Sequence, residues 1–184
     1  MNIEVQKDEN GFYFTLTEVG HGLPQRQQSI AVRPDFKKRA QIGGKSDLLA
    51  RAIGHKKNRQ LKILDLTAGL GQDSFHLACL GHQVTALEKN EKLFKVVNSN
   101  WLASGMAESI MLNFVLADAA DYLKSLSQKM GVKGKEKRED QFDVIYFDPM
   151  FPEKKKSAKA GKHAQLLQAI GYSRPESEAE IVQV

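Results

Sequence analysis

Two short stretches of the chain carry residue types whose spacing could do chemistry. In the first, Asp65-Leu66-Thr67-Ala68-Gly69-Leu70-Gly71-Gln72-Asp73, an apolar run ends on a carboxylate and turns through two glycines into a segment of helical periodicity. A strand, glycine turn and helix in that order build a ligand site outside the carboxyl end of a parallel sheet. A dinucleotide fingerprint would need a third glycine where the chain has Ser74. Asp65 and Asp73 argue further against a phosphate ligand, because a pyrophosphate wants free amides and the positive end of the helix dipole. Two carboxylates suit a cationic ligand without phosphate, and S-adenosyl-L-methionine, with its ammonium and sulfonium, is that ligand. Glu88 ends the next apolar run, where an acid can accept both ribose hydroxyls, and Asp118 ends the third, within reach of an adenine amino group. Plainer uses stand beside these: Asp73 as a helix cap, Glu88 as a surface acid, Gly69 and Gly71 for a tight turn. Their order at the ends of successive strands favours the ligand.

The second stretch is Asp148-Pro149-Met150-Phe151-Pro152, directly after the apolar run Val144-Ile145-Tyr146-Phe147. An exocyclic purine amine is a poor nucleophile because its lone pair is delocalised into the ring. The Asp148 carboxylate and the Pro149 carbonyl can accept its N–H bonds, aim the nitrogen and steady the positive charge that develops. Proline offers no competing N–H, and Phe151 supplies a flat apolar face for a base taken out of its stack. The plain alternative is an ordinary strand-to-loop turn. Lys154, Lys155 and Lys156 follow at once, either as a solvated charge run or as phosphate contacts that hold RNA without reading its sequence.

The elements needed to position these residues are legible as an alternation of strand and helix. Strands are expected at 61–66, 83–88, 110–116 and 142–147, and helices at 72–80, 91–103 and 119–128. Strands separated by single helices are βαβ units, so the expected class is α/β with a doubly wound, mostly parallel sheet. Ahead of it, 12–17 and 29–32 read as a small β unit, and Ser46 is the expected cap of a helix running to Ile53 and stopped by Gly54. The expected division is an N-terminal β extension with a basic, Gly-rich segment at 1–44, a methyltransferase-type domain at 45–172 and a polar tail at 173–184.

Charge is distributed in keeping with this. The 184 residues hold 27 Lys and Arg against 22 Asp and Glu, a net +5. Residues 24–62 carry a surplus of +9 and residues 151–174 one of +5, whereas 63–128 sum to −3. A polyanion docking beside an acidic pocket would meet that arrangement, although lysines are also common on solvated surfaces. The only cysteine, Cys79, has no internal disulfide partner, and the five histidines show no metal-site spacing. With no run apolar enough to span a bilayer and no visible export signal, the expected place is the cytoplasm, with no membrane and no metal.

Taken together these residues resemble the ribosomal RNA small subunit methyltransferase J family, which methylates the N2 amine of a guanine in small-subunit (16S) ribosomal RNA. The resemblance rests on Asp65 to Phe75, on Leu87-Glu88-Lys89-Asn90, and above all on Tyr146-Phe147-Asp148-Pro149-Met150-Phe151-Pro152 with Glu153 to Ala158. Most amino-methyltransferases are similar but carry a second proline where this chain has Met150. A looser similarity includes Lys38-Arg39 and Gly43-Gly44, and the whole covers residues from about 12 to 170. It implies a class I S-adenosyl-L-methionine-dependent methyltransferase fold, with Thr67, Ala68 and Lys89 joining the cofactor site and Lys38 and Arg39 the RNA contacts. The chain departs from the family at Arg33-Pro34-Asp35-Phe36 and is expected to stop before the last strands of that sheet. The rival readings are a shortened, non-catalytic RNA-binding relative, and an amino-methyltransferase acting on adenine N6 in DNA or on a protein glutamine amide.

Overall fold

A computed structural model describes residues 2–17, 29–34, 36, 47–131, 141–148, 166 and 170. Its N-terminal part is a three-stranded antiparallel sheet of β1 (Asn2–Asp8), β2 (Gly11–Thr17) and β3 (Ser29–Val32), in that order. The sequence pattern predicts β2 and β3 but not β1. Only Ile3 and Val5 alternate with polar residues there, and Val5 remains exposed, so the strand has little apolar signal of its own. It forms because a tight turn, in which Asp8 accepts the amide of Asn10, folds it back along the whole of β2.

The next helix, α1 (Leu48–Ala52), is capped by Asp47, one residue beyond the expected Ser46. One oxygen of Asp47 accepts from the Ala50 amide at 2.9 Å, and the other meets His76 Nε2 on the helix that follows. One side chain therefore both starts α1 and docks it.

The main sheet is parallel, in the order β6 (Leu112–Leu116), β5 (Gln83–Glu88), β4 (Lys62–Asp65), β7 (Val144–Tyr146). Between these strands run α2 (Gln72–Cys79), α3 (Glu91–Ala103) and α4 (Ala119–Gly131). The steps β4 to β5 and β5 to β6 go one way along the sheet, and β6 to β7 returns past both. Right-handed crossovers therefore put α2 and α3 on one face and α4 on the other. Two apolar clusters match: Ile63, Phe75, Leu77, Leu93, Val97 and Trp101 on the first face, and Leu64, Leu66 and Leu87 with Ala119 and Leu123 on the second.

The N-terminal sheet shares the larger of these cores. Phe14, Val32 and Phe36 are buried in it, and the Phe36 ring lies 5.2 Å from Phe75 and 5.6 Å from Trp101. Asn100 of α3 clamps the hairpin: its Oδ1 accepts from the Phe12 amide at 2.8 Å and its Nδ2 donates to the Phe12 carbonyl at 2.7 Å. The clamp requires Gly11, at φ +107, because a Cβ there would lie 2.4 Å from Asn100 Oδ1. Asn100→Ala leaves two half-buried backbone groups of Phe12 without these partners. It is expected to lower stability by roughly 1–3 kcal/mol in urea unfolding, and an unchanged midpoint would show that the clamp contributes nothing.

Candidate functional site

The strand order changes direction between β4 and β7, and ligands on such sheets bind at the carboxyl ends of the strands on either side of that point. Asp65 ends β4 there and Asp148 lies two residues beyond β7. Asp65 is 1% exposed. Its Oδ1 accepts from the Thr67 amide at 2.9 Å and its Oδ2 from the Ser74 hydroxyl at 2.5 Å. Burial dominates over these bonds, and the carboxylates of Asp73 and Asp148 add to it, so the Asp65 carboxyl is pushed from its ordinary 3.8 up to about 6.

The glycine loop is held from both sides. The Ala68 amide donates to the Leu87 carbonyl at 3.0 Å, and the Gly69 amide donates to Glu88 Oε2 at 3.1 Å. Glu88 is 2% exposed, so the surface-acid alternative does not hold. Its Oε1 accepts from the Asn90 amide at 2.6 Å, and Asn90 in turn caps α3 through Leu93. Gly71 has a packing reason as well as a φ of +71: a Cβ there would lie 2.5 Å from the Phe114 ring and 3.2 Å from Val97.

Asp73, on the first turn of α2, accepts from the Tyr146 hydroxyl at 3.0 Å. Burial first, then the charges of Asp73 and Asp148, push the Tyr146 phenol far above its ordinary value, so it remains a donor. Thr67 Oγ1 accepts from the Asp148 amide at 3.0 Å. Asp118 Oδ1 accepts from the Ala120 amide at 2.9 Å at the start of α4, and Lys89 is exposed just past β5.

Asp65, Thr67, Ala68, Gly69, Gly71, Asp73, Glu88 and Asp148 are thus brought together through the strand ends and the loop between them. Pro149 and Phe151, and the basic residues Lys38, Arg39, Lys154, Lys155 and Lys156, lie outside the described residues. Of the basic flank that is described, Lys56, Lys57 and Arg59 precede β4 and so stand at its amino end, opposite Asp65. Arg33 is turned onto Asp8 at 2.5 Å and over the Tyr13 ring. Sequence reasoning passes over Tyr146, which reads as one more aromatic in an apolar run, because its partner Asp73 lies five elements earlier in the chain.

The donor set fits S-adenosyl-L-methionine. Asp65 and Asp73 offer carboxylates to a cationic group, and Glu88 stands at the end of the neighbouring strand, where ribose hydroxyls are held in this class of sheet. A family described as "Putative SAM-dependent methyltransferase" matches residues 6–179. Ribosomal RNA small subunit methyltransferase J of Saccharophagus degradans is 38% identical over 139 residues, covering 70% of this chain and 49% of the relative. The same-named protein of Coxiella burnetii is 38% identical over 131 residues (70% and 47%), and that of Marinobacter nauticus 33% over 164 (89% and 56%). The chain spans about half the length of these curated relatives. Among solved structures, a SAM-dependent methyltransferase from Neisseria gonorrhoeae superposes with a TM-score of 0.57 at 25% identity, over 79% of this chain and 56% of that one. The expected fold class and the resemblance to the J family are both borne out.

The raised Asp65 carboxyl makes stability depend on pH. The folded chain binds this proton more tightly than the unfolded one, so its contribution declines as pH rises from about 4 to about 6 and stays lost above that. Asp65→Asn is expected to be more stable than the ligand-free parent at pH 7.5 by roughly 1–3 kcal/mol. In thermal or urea unfolding the gap should shrink below pH 4, and a gap independent of pH would show that Asp65 is not the titrating group.

Proposed function

This chain belongs to the SAM-dependent methyltransferase family, and we propose that it methylates the exocyclic N2 amine of a guanine in small-subunit (16S) ribosomal RNA. S-adenosyl-L-methionine is its cofactor. The observation that carries the proposal is the hydrogen bond from the Asp148 amide to Thr67 Oγ1, which sets the amine-binding motif against the glycine loop. The three curated relatives described above, each named as a ribosomal RNA small subunit methyltransferase, support the choice of substrate.

When bound, S-adenosyl-L-methionine supplies an electrophilic methyl group on a sulfonium. Asp65 and Asp73 would hold its cationic side, and Glu88, already accepting from the Gly69 and Asn90 amides, would take the ribose hydroxyls with its remaining lone pairs. Asp118, two residues beyond β6, would reach the adenine end of the cofactor, and Thr67, Ala68, Gly69, Gly71 and Lys89 would line the rest of its site. Asp148 would accept one N–H of the guanine amine, orienting the nitrogen lone pair and steadying the charge that forms. The motif completes the role with the Pro149 carbonyl as a second acceptor and Phe151 as a stacking face. Lys38, Arg39, Lys154, Lys155 and Lys156 would contact phosphates, which sets position rather than sequence choice. The substrate would be the RNA itself or the assembled subunit, in the cytoplasm. No helix among the described residues is long and apolar enough to cross a membrane.

Three outcomes are expected. Labelled methyl from S-adenosyl-L-methionine should appear as N2-methylguanine in 16S rRNA offered naked or as small subunits. Asp148→Ala should lower that transfer at least about 100-fold while cofactor binding by calorimetry persists. Label on DNA or protein instead, or full activity without the carboxylate, would defeat the substrate assignment. Cofactor affinity should also fall as pH drops below about 6, because the Asp65 carboxyl then takes up the proton that a cationic ligand needs absent. An affinity flat between pH 5 and 7.5 would remove Asp65 from the site.

A further inference from the structure

The end of β7 is joined to the glycine loop by three hydrogen bonds, each 3.0 Å long: Leu66 amide to Tyr146 carbonyl, Tyr146 hydroxyl to Asp73 Oδ2, and Asp148 amide to Thr67 Oγ1. The first merely continues the ladder of β4 and β7. The other two are made by side chains and span 73 and 81 residues of sequence. The apolar ring of Tyr146 packs against the main core, and a phenylalanine would fill that space as well. Its hydroxyl is what reaches the carboxylate on α2. Asp73, in the first turn of the helix that follows the cofactor loop, is therefore bonded to the strand that delivers Asp148 two residues later.

We propose that Tyr146 is a positioning residue that couples occupancy of the cofactor site to the placement of Asp148. A cationic ligand drawn to Asp73 changes the balance of its bond with the Tyr146 hydroxyl. Parallel pairing of β7 with β4 prevents the strand from swinging away, so the adjustment passes along two residues to the Asp148 amide, where Thr67 receives it. The inference rests on the cofactor reading above and adds to it a coupling in which occupancy of the donor site and the placement of Asp148 favour each other. A coupling of this kind needs a differential contact in the two states, and the Tyr146–Asp73 bond is that contact.

S-adenosyl-L-homocysteine, which cannot transfer a methyl group, is the probe. Amide hydrogen exchange at Asp148 is the readout, with affinity measured separately by calorimetry. In the parent protein saturating ligand should slow exchange of the Asp148 amide at least about fivefold. Tyr146→Phe should bind the ligand within about threefold of the parent affinity and yet lose more than half of that slowing. Thr67→Val, which cuts the second bond, should lose it too, and Thr67→Ser should restore it. Parent-like slowing in Tyr146→Phe, or binding to the parent without any change at Asp148, would overturn the coupling while leaving the cofactor reading intact. Failure of the parent to bind the ligand would overturn both, and is distinguished by the calorimetry alone.

Discussion

Burying the Asp65 carboxyl at the end of a strand, with Asp73 and Asp148 as its neighbours, is the constraint around which the site is arranged. β4 is paired in parallel on both sides, with β5 and β7, so its end cannot shift to relieve the charge. Hydrogen bonds from Thr67 and Ser74 reduce the penalty without cancelling it, because the carboxyl still sits near 6 against its ordinary 3.8. At neutral pH the buried charge costs roughly 1–3 kcal/mol, a substantial fraction of the roughly 5–15 kcal/mol by which folded domains are commonly stable. A core of Ile63, Leu64, Phe75 and Leu77, all fully buried, holds the strand regardless. A cationic ligand reverses the sign of the same interaction.

Several residues serve the fold and the ligand at once, so the plain and the functional readings of the sequence do not compete. Gly71 is required by the approach of Phe114 and Val97 whatever binds above it. Glu88 pins the Gly69 amide and the start of α3, which fixes the loop in the shape the ligand would meet. Asp118, two residues beyond β6, also starts α4 by accepting the Ala120 amide. A site built from such residues is preorganised because the same bonds that shape it also terminate its strands and helices.

What was legible in the sequence follows from the range of the interactions. β5 and α3 occupy the expected spans because their signals are local: Gly81 after α2, period-two apolar residues in β5, and Asn90 as a cap. The carboxylates at strand ends were legible for the same reason. β1 was missed because its stability comes from pairing, not from its own apolar pattern, and the cap of α1 moved to Asp47 because His76 rewards that position from another helix. The bonds Tyr146–Asp73, Asp148–Thr67 and Asn100–Phe12 leave no periodic trace at all. Each joins residues more than 70 positions apart, and only the folded chain brings them together.

The role of the N-terminal sheet follows from α3. That helix is capped by Asn90, two residues after Glu88, and reaches the hairpin clamp at Asn100, ten residues or about 15 Å beyond the cap. The two ends of one rigid element therefore carry the cofactor loop and the β unit. Phe36, which ends the stretch departing from the J family, is buried against Phe75 and Trp101 and so anchors the start of the basic segment to the same core. Phe14, Val32 and Phe36 share that core with the helices of the main sheet, which leaves the N-terminal sheet no freedom to move independently of the parallel one.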